Sequence, residues 1–134
     1  MIKQSIYLFF DGNAKEALEF YQSCLGGKMQ LTPVGGSFMK NLLPLSFHDK
    51  TLNGRLLSER VDISVSDWLR PEETPVRGNM SCLYLSGGTA EETKNLFDKL
   101  SAGGNVTDPL KIEPFGTYGA LNDRFGVRWM FHAE

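Results

Sequence analysis

The chain carries two imidazoles, His48 and His132, and two thiols, Cys24 and Cys82. These are its only side chains with an ordinary claim to proton transfer near neutral pH or to thiolate chemistry. Neither pair is spaced as a motif: there is no CxxC and no Cys/His cluster. A nucleophilic cysteine needs a neighbouring base, and the spacing supplies none, so the thiols read as reduced and partly buried. His48 stands in an irregular stretch, where it reads either as a general base or as a solvated ring. Arg128 is the best candidate for holding an anionic group, because a guanidinium matches carboxylate and phosphate geometry. Its competing reading is an ion pair with an acidic surface residue. In "NDRFG", Asp123 reads as a turn cap. Glu59 and Arg60 repeat the Asp123–Arg124 pair in the first half, which points to a structural role in both.

Other chemistries are excluded by what the chain lacks. "GGSF" and "SGGTA" are glycine-containing turns without the strand, helix and distant acidic residue of a nucleotide cradle. The 134 residues carry a formal net charge of −2 and a pI near 5.7, which argues against a nucleic-acid partner. No apolar run approaches the roughly 20 residues of a membrane span, and the N-terminus lacks a secretory pattern. The expected compartment is therefore the cytoplasm, with no membrane partner. Apolar residues at 41% and charged residues at 22% are those of a globular domain, and the length fits a single domain.

The elements that must position these residues occur twice. "IYLFFDGNAKEALEFYQSCLGG" from Ile6 and "LYLSGGTAEETKNLFDKLSAGG" from Leu83 agree at an offset of 77 without a gap. Each reads as a strand, a turn and a helix, with strands near Ser5–Phe10 and Met80–Ser86. Ala14, Ala17, Leu18, Tyr21, Cys24 and Leu25 form one apolar stripe at helical spacing. Asn13 is the expected cap of that helix, with Glu16 three residues on. Thr89 and Glu92 predict a capping box for the second helix, whose stripe is Leu96, Phe97 and Leu100. Both helices end in Gly-Gly.

A second match, "LSERVDISVS" from Leu57 with "LNDRFGVRWM" from Leu121, has an offset of 64. The first half therefore holds about thirteen extra residues, which the turn-rich stretch between Leu31 and Asn53 accommodates. Further strands are expected near Lys28–Thr32, Arg55–Glu59 and Asp62–Ser66, then near Asn105–Lys111, Gly119–Asp123 and Val127–His132. "PEETPVR", Pro71 to Arg77, is a polar connector. The pattern predicts an α+β fold with helices on one face of an antiparallel or mixed sheet. The halves are two modules of a single domain, about 1–70 and about 78–134.

Alternation in the closing strands separates two faces. Ile63 and Val65, like Val127, Trp129 and Phe131, should pack under a helix. Ser64, Ser66, Arg128, Met130 and His132 fall on the other face, which is either a solvated surface or a cavity wall. The first strand is apolar at both parities (Ile6, Leu8 and Phe10; Tyr7 and Phe9), which predicts cover on both sides, the second by a cavity wall, a loop or a second subunit.

Three tokens, "YLFFDGNAKEALEFY", "SDW" at Ser66–Trp68 and "PFGTYGALNDRFGVRWMF", occur in order along the repeat. Together they resemble the vicinal oxygen chelate superfamily, the glyoxalase/bleomycin-resistance/extradiol-dioxygenase group. Within it they look like the PhnB-like branch, often labelled "3-demethylubiquinone methyltransferase-like". The resemblance covers nearly the whole chain. It implies two tandem βαβββ modules forming a cup-shaped curved sheet with helices outside, and a homodimer. It also implies a divalent metal in many members, with His or Glu ligands. Those positions fall on Ile6, at or next to Leu83, and at or near Ser66 and Met130. None of these residue types is an ordinary ligand for a hard divalent ion, so no metal and no cofactor are expected.

The resulting expectation is a protein that binds a small organic molecule, akin to bleomycin-resistance proteins. Ile6, Leu8, Phe10, Leu83 and Leu85 would form apolar walls, Ser64, Ser66 and Arg128 would orient a polar end, and Met130 would lie among them. Trp68 reads as an aromatic wall or as a plug between the modules. Phe115 and Tyr118, flanking Gly116 in "EPFGTYG", read as rim lining or as a structural turn. Two alternatives stay open. One is a metal-dependent lyase, isomerase or dioxygenase, which would need His48, His132 and a carboxylate such as Glu113 to converge. The other is a non-catalytic structural dimer whose cavity is filled by its own side chains.

Overall fold

The computed structural model describes residues 1–134. They form two compact units, Met1–Pro75 and Val76–Glu134. The first contains β1 (Ile6–Phe10), α1 (Ala14–Leu25), β2 (Lys28–Pro33), β3 (Thr51–Leu57) and β4 (Asp62–Asp67). The second contains β5 (Leu83–Ser86), α2 (Ala90–Ser101), β6 (Asn105–Glu113), β7 (Gly116–Asn122) and β8 (Arg128–Ala133). Each is a βαβββ module with one four-stranded mixed sheet, in the orders β1-β4-β3-β2 and β5-β8-β7-β6. The β1–β4 and β5–β8 pairs are parallel and the others antiparallel. The extra length of the first module is the β2–β3 connector, residues 34–50, with short 3₁₀ turns at Val34–Gly36 and Leu45–Phe47.

The helices obey a different offset from the one read in sequence. Ala90 follows Ala14 by 76 positions, and Ser101 follows Leu25 by 76. Both strand-to-helix turns span three residues, 11–13 and 87–89; it is β5 that is one residue shorter than β1, four against five. The shift puts Phe97 and Leu100 in the places of Tyr21 and Cys24, and all four are buried. At a strict 77, Asp98 and Ser101 would stand there instead. It also sets Lys94 in the place of Leu18. The Lys94 ammonium swings outward to Asp98 at 2.6 Å, and an apolar groove of about 480 Å³ opens between α2 and β6, lined by Phe97, Leu110 and Ile112 among others.

Helix starts are secured differently in the two modules. Thr89 caps α2 as its pattern predicts: the Glu92 N–H donates to Thr89 Oγ1 at 3.1 Å, and the Glu92 carboxylate accepts from the Thr89 N–H. Asn13 makes no side-chain cap bond. Asp67, far along the chain and 3% exposed, replaces it. Its Oδ1 accepts the Ala14 N–H at 2.9 Å and its Oδ2 accepts the Thr51 N–H at 2.8 Å. One carboxylate therefore starts α1 and begins β3 at Thr51, earlier than the alternation alone indicates.

The helix ends do repeat. Arg60 donates to the Leu25 carbonyl at 3.4 Å and Arg124 to the Ala102 carbonyl at 3.1 Å. Each guanidinium caps the C-terminal end of its own module's helix, where cations are favoured. Asp123, 4% exposed, accepts the N–H groups of Phe125 and Val127 and the Trp129 indole N–H at 2.8–3.0 Å. Trp129 is thereby fixed in the core with its polar edge satisfied. A glycine lies beneath each helix on the central β3 or β7 strand. A Cβ at Gly54 would lie 2.7 Å from Leu31 and 3.1 Å from Leu18; one at Gly119 would lie 2.7 Å from Leu110 and 2.9 Å from Phe97.

Candidate functional site

Strand register decides which expected site residues can act together. In the first module Ile6 pairs with Ile63, Leu8 with Val65 and Phe10 with Asp67. Ile63 and Val65 are buried on the helix side, and Leu8 and Phe10, 9% and 2% exposed, lie with them in the core. Ile6 shares their face at the strand's start and is more exposed. The expected lining is therefore divided: these three residues cannot share a surface with Ser64 and Ser66. The second module repeats the correction. Leu83 and Leu85 pair with Trp129 and Phe131 and face the helix, whereas Tyr84 and Ser86 pair with Met130 and His132 on the open face. The physical reason is the two-residue period of a strand, which sends neighbours to opposite faces.

The open face of the first sheet carries Tyr7, Phe9, Asn53, Arg55, Asp62, Ser64 and Ser66. Tyr7 and Phe9 are 43% and 48% exposed, so of the covers expected for the second face of β1 a loop of the same chain is not the one present. Their rings lie 5.1 Å apart, and Phe9 meets Trp68 edge-on at 5.8 Å. The Trp68 indole N–H donates to the carbonyls of Arg70 and Glu73, both at 3.0 Å, and closes the turn after β4. A cavity of about 330 Å³ lies beside this turn, lined by Phe9, Ser66, Trp68 and Arg70 among others. The Ser66 hydroxyl is 2.8 Å from the Asp67 carbonyl, to which it donates. Asn53 donates to the Tyr7 hydroxyl at 3.2 Å. Arg55 and Asp62 form a two-bond ion pair, both at 2.8 Å. The guanidinium holds the Asp62 carboxyl below its ordinary value, and the carboxylate raises Arg55 in turn.

On the open face of the second sheet, β8 presents Arg128, Met130 and His132 in a row. Across β7 stand Asn122, Ala120 and Tyr118, in that order, and Tyr84 of β5 flanks Met130. Arg128 is half-buried, and no carboxylate of the chain pairs with it. The expected competing role, an ion pair on the surface, is not the one it has. At the other end of the row the Phe115 ring lies 6.2 Å from Tyr118 and 6.0 Å from His132. Arg128 and His132 are four residues apart on one strand, a separation of about 13 Å. The row thus offers a cationic end, a thioether and phenol middle, and an aromatic end.

A profile of the Glyoxalase/Bleomycin resistance protein/Dioxygenase superfamily matches residues 4–131. The chain belongs to this superfamily. Among curated relatives, the protein YjdN of Escherichia coli (strain K12) is 29% identical over 141 aligned positions, covering 96% of this chain and 92% of YjdN. Among solved structures, protein PA1353 from Pseudomonas aeruginosa superposes with a TM-score of 0.89 at 30% identity, over 100% of this chain and 98% of PA1353. A PhnB protein from Bacillus cereus gives 0.75 at 23% identity, over 99% and 100% of the two chains, a likeness of fold.

The superfamily implies a divalent metal in many members, and the donor set here does not fit one. Of the positions at or next to which the resemblance places its ligands, Ile6 and Leu83 are hydrocarbon and share the helix-facing parity. Ser66 spends its hydroxyl on the backbone, and Met130 offers only a thioether, a poor partner for a hard ion. No three His, Cys, Asp or Glu side chains gather as a metal-binding group. His48 approaches the Leu43 carbonyl at 3.3 Å inside its own connector. His132 Nε2 lies 2.7 Å from the Phe115 carbonyl, and Glu113 is paired with Lys111 at 3.0 Å. Neither cysteine forms a disulfide; Cys24 is buried and Cys82 partly so. No helix is long and apolar enough to cross a membrane.

The sequence reading missed Tyr84, Tyr7 and Phe9 as open-face residues. The signal was available: each has the parity of the serines or of Met130 once β1 is paired with β4 and β5 with β8. Pairing, however, is a long-range choice that no local pattern states.

Proposed function

We propose that this protein binds a small organic anion with an apolar or aromatic body, and does so without a metal. The observation that supports the reading most directly is the unpaired, half-buried Arg128 at one end of a row that finishes in Phe115, Tyr118 and His132. A guanidinium without an internal counter-charge fits a carboxylate, sulfonate or phosphonate, and Met130, Tyr84 and Tyr118 supply adaptable apolar contact. The role is sequestration, as in a resistance protein, and the binding form is a homodimer.

The test uses chelator-treated protein and an amphipathic aromatic anion, anilinonaphthalene sulfonate, as the probe. Binding is followed by fluorescence titration, with metal content measured on the protein as purified. The expected result is saturable binding at one site per chain that survives chelation and weakens about tenfold in R128Q. Stoichiometric manganese, nickel, zinc or iron, whose removal abolishes binding, would overturn the reading in favour of a metal-dependent enzyme. Sedimentation at micromolar concentration checks the dimer, and a monomer there would refute it.

A further inference from the structure

The β6–β7 hairpin of the second module turns through only two residues, Pro114 and Phe115, between the paired Glu113 and Gly116. At this tip Phe115 is 60% exposed. Its carbonyl, however, lies 2.7 Å from Nε2 of His132 on β8, a short hydrogen bond in which the imidazole N–H is the donor. Gly116 makes this approach possible. Its φ is +122°, and a Cβ there would collide with the Ala133 carbonyl and lie 2.9 Å from His132 Nε2. The same bond brings the Phe115 ring beside Tyr118, edge to face at 6.2 Å, and within 6.0 Å of the imidazole itself.

We infer that His132 is a positioning residue. By donating from Nε2 to the Phe115 carbonyl, it bends the hairpin tip onto the open face and sets the Phe115 and Tyr118 rings as the aromatic end of the organic-anion site. The inference rests on the binding role proposed above and adds how that site is held in shape. It gives the C-terminal histidine a task that is neither metal ligation nor acid–base catalysis. A backbone carbonyl acceptor requires the proton on Nε2, so the neutral ring is the Nε2–H tautomer. It also orders the tip before ligand arrives, which lowers the entropy that binding must otherwise spend on it.

Three variants and one spectrum test this. H132Q places an amide donor at similar reach, H132L removes the donor at similar volume, and F115A removes the ring. The probe is again anilinonaphthalene sulfonate. H132L and F115A should each weaken it about tenfold, their double mutant no further, and H132Q by no more than about twofold. In the unliganded protein, long-range ¹⁵N spectra at neutral pH should show the Nε2–H tautomer, and amide signals of Phe115 and Gly116 should shift or broaden in H132L but not in H132Q. An Nδ1–H tautomer in the wild type, or H132L binding the probe as the wild type does, would overturn the inference. If H132L does not fold, the wild-type tautomer and the H132Q and F115A titrations still decide it. Failure of the underlying binding role looks different: the wild type does not bind the probe, or R128Q binds it unchanged, while the tautomer and tip signals stay as described.

Discussion

Replacing Asp67 should damage the first module far more than replacing the residue that local pattern names as its helix cap. Asp67 is 3% exposed and accepts two buried backbone N–H groups, from Ala14 at 2.9 Å and Thr51 at 2.8 Å. Hydrogen bonds to a charged acceptor contribute about 1.5–3 kcal/mol each, and a buried donor left unpaired costs a similar amount. D67A orphans both donors and should lose about 3–5 kcal/mol. D67N keeps one carbonyl oxygen but turns an NH₂ toward the other N–H, and removes the negative charge at the helix start, for about 2–3 kcal/mol. Asn13 makes no side-chain cap bond, so N13A should stay within about 0.5 kcal/mol of wild type. T89A, which breaks a formed capping box in the second module, should lose about 1 kcal/mol. Urea denaturation read from midpoints at constant m-value measures all four. The order D67A, D67N, T89A, N13A is the prediction. An N13A loss above that of D67N would refute the assignment of Asp67 as the cap.

Other consequences follow from the same geometry. G54A drives a methyl to 2.8 Å from Val65 and 2.7 Å from Leu31, and G119A to 2.7 Å from Leu110 and 2.9 Å from Phe97; each should destabilise by about 1–3 kcal/mol in thermal unfolding, and a stabilised variant would contradict the packing described. The Asp62 carboxyl, held down by Arg55, should titrate below its ordinary 3.8 in carboxyl ¹³C spectra and move back up in R55Q. Because the folded value is the depressed one, whatever stability this exposed pair contributes is present above 3.8 and is lost as pH falls through the lowered value. An Asp62 signal unmoved by R55Q would refute the pairing in solution. Filling the α2–β6 groove with K94L, the residue type that Leu18 provides in the first module, should raise the unfolding midpoint; a fall would show that the groove is not an unfilled apolar space.

The sequence by itself determined the duplication, the βαβββ order, the place of the extra residues in the first module, the capping box at Thr89, and the structural use of Asp123, Arg60 and Arg124. These are local matters: a periodicity of two or 3.6, a turn residue and a side chain within a few positions, read directly from spacing. It also indicated that Ser64, Ser66, Arg128 and Met130 share faces opposite the helices, since alternation along one strand is local. Two matters waited for the tertiary structure. Asp67 displaced Asn13 as a cap because a carboxylate 53 residues from Ala14 reached the same N–H. The lining split, with Leu8, Phe10, Leu83 and Leu85 going to the helix side and Tyr7, Phe9 and Tyr84 to the open side. That choice depends on which residue of β1 meets which residue of β4. Strand register is decided by packing between segments distant in sequence, and a slip of one residue exchanges the faces.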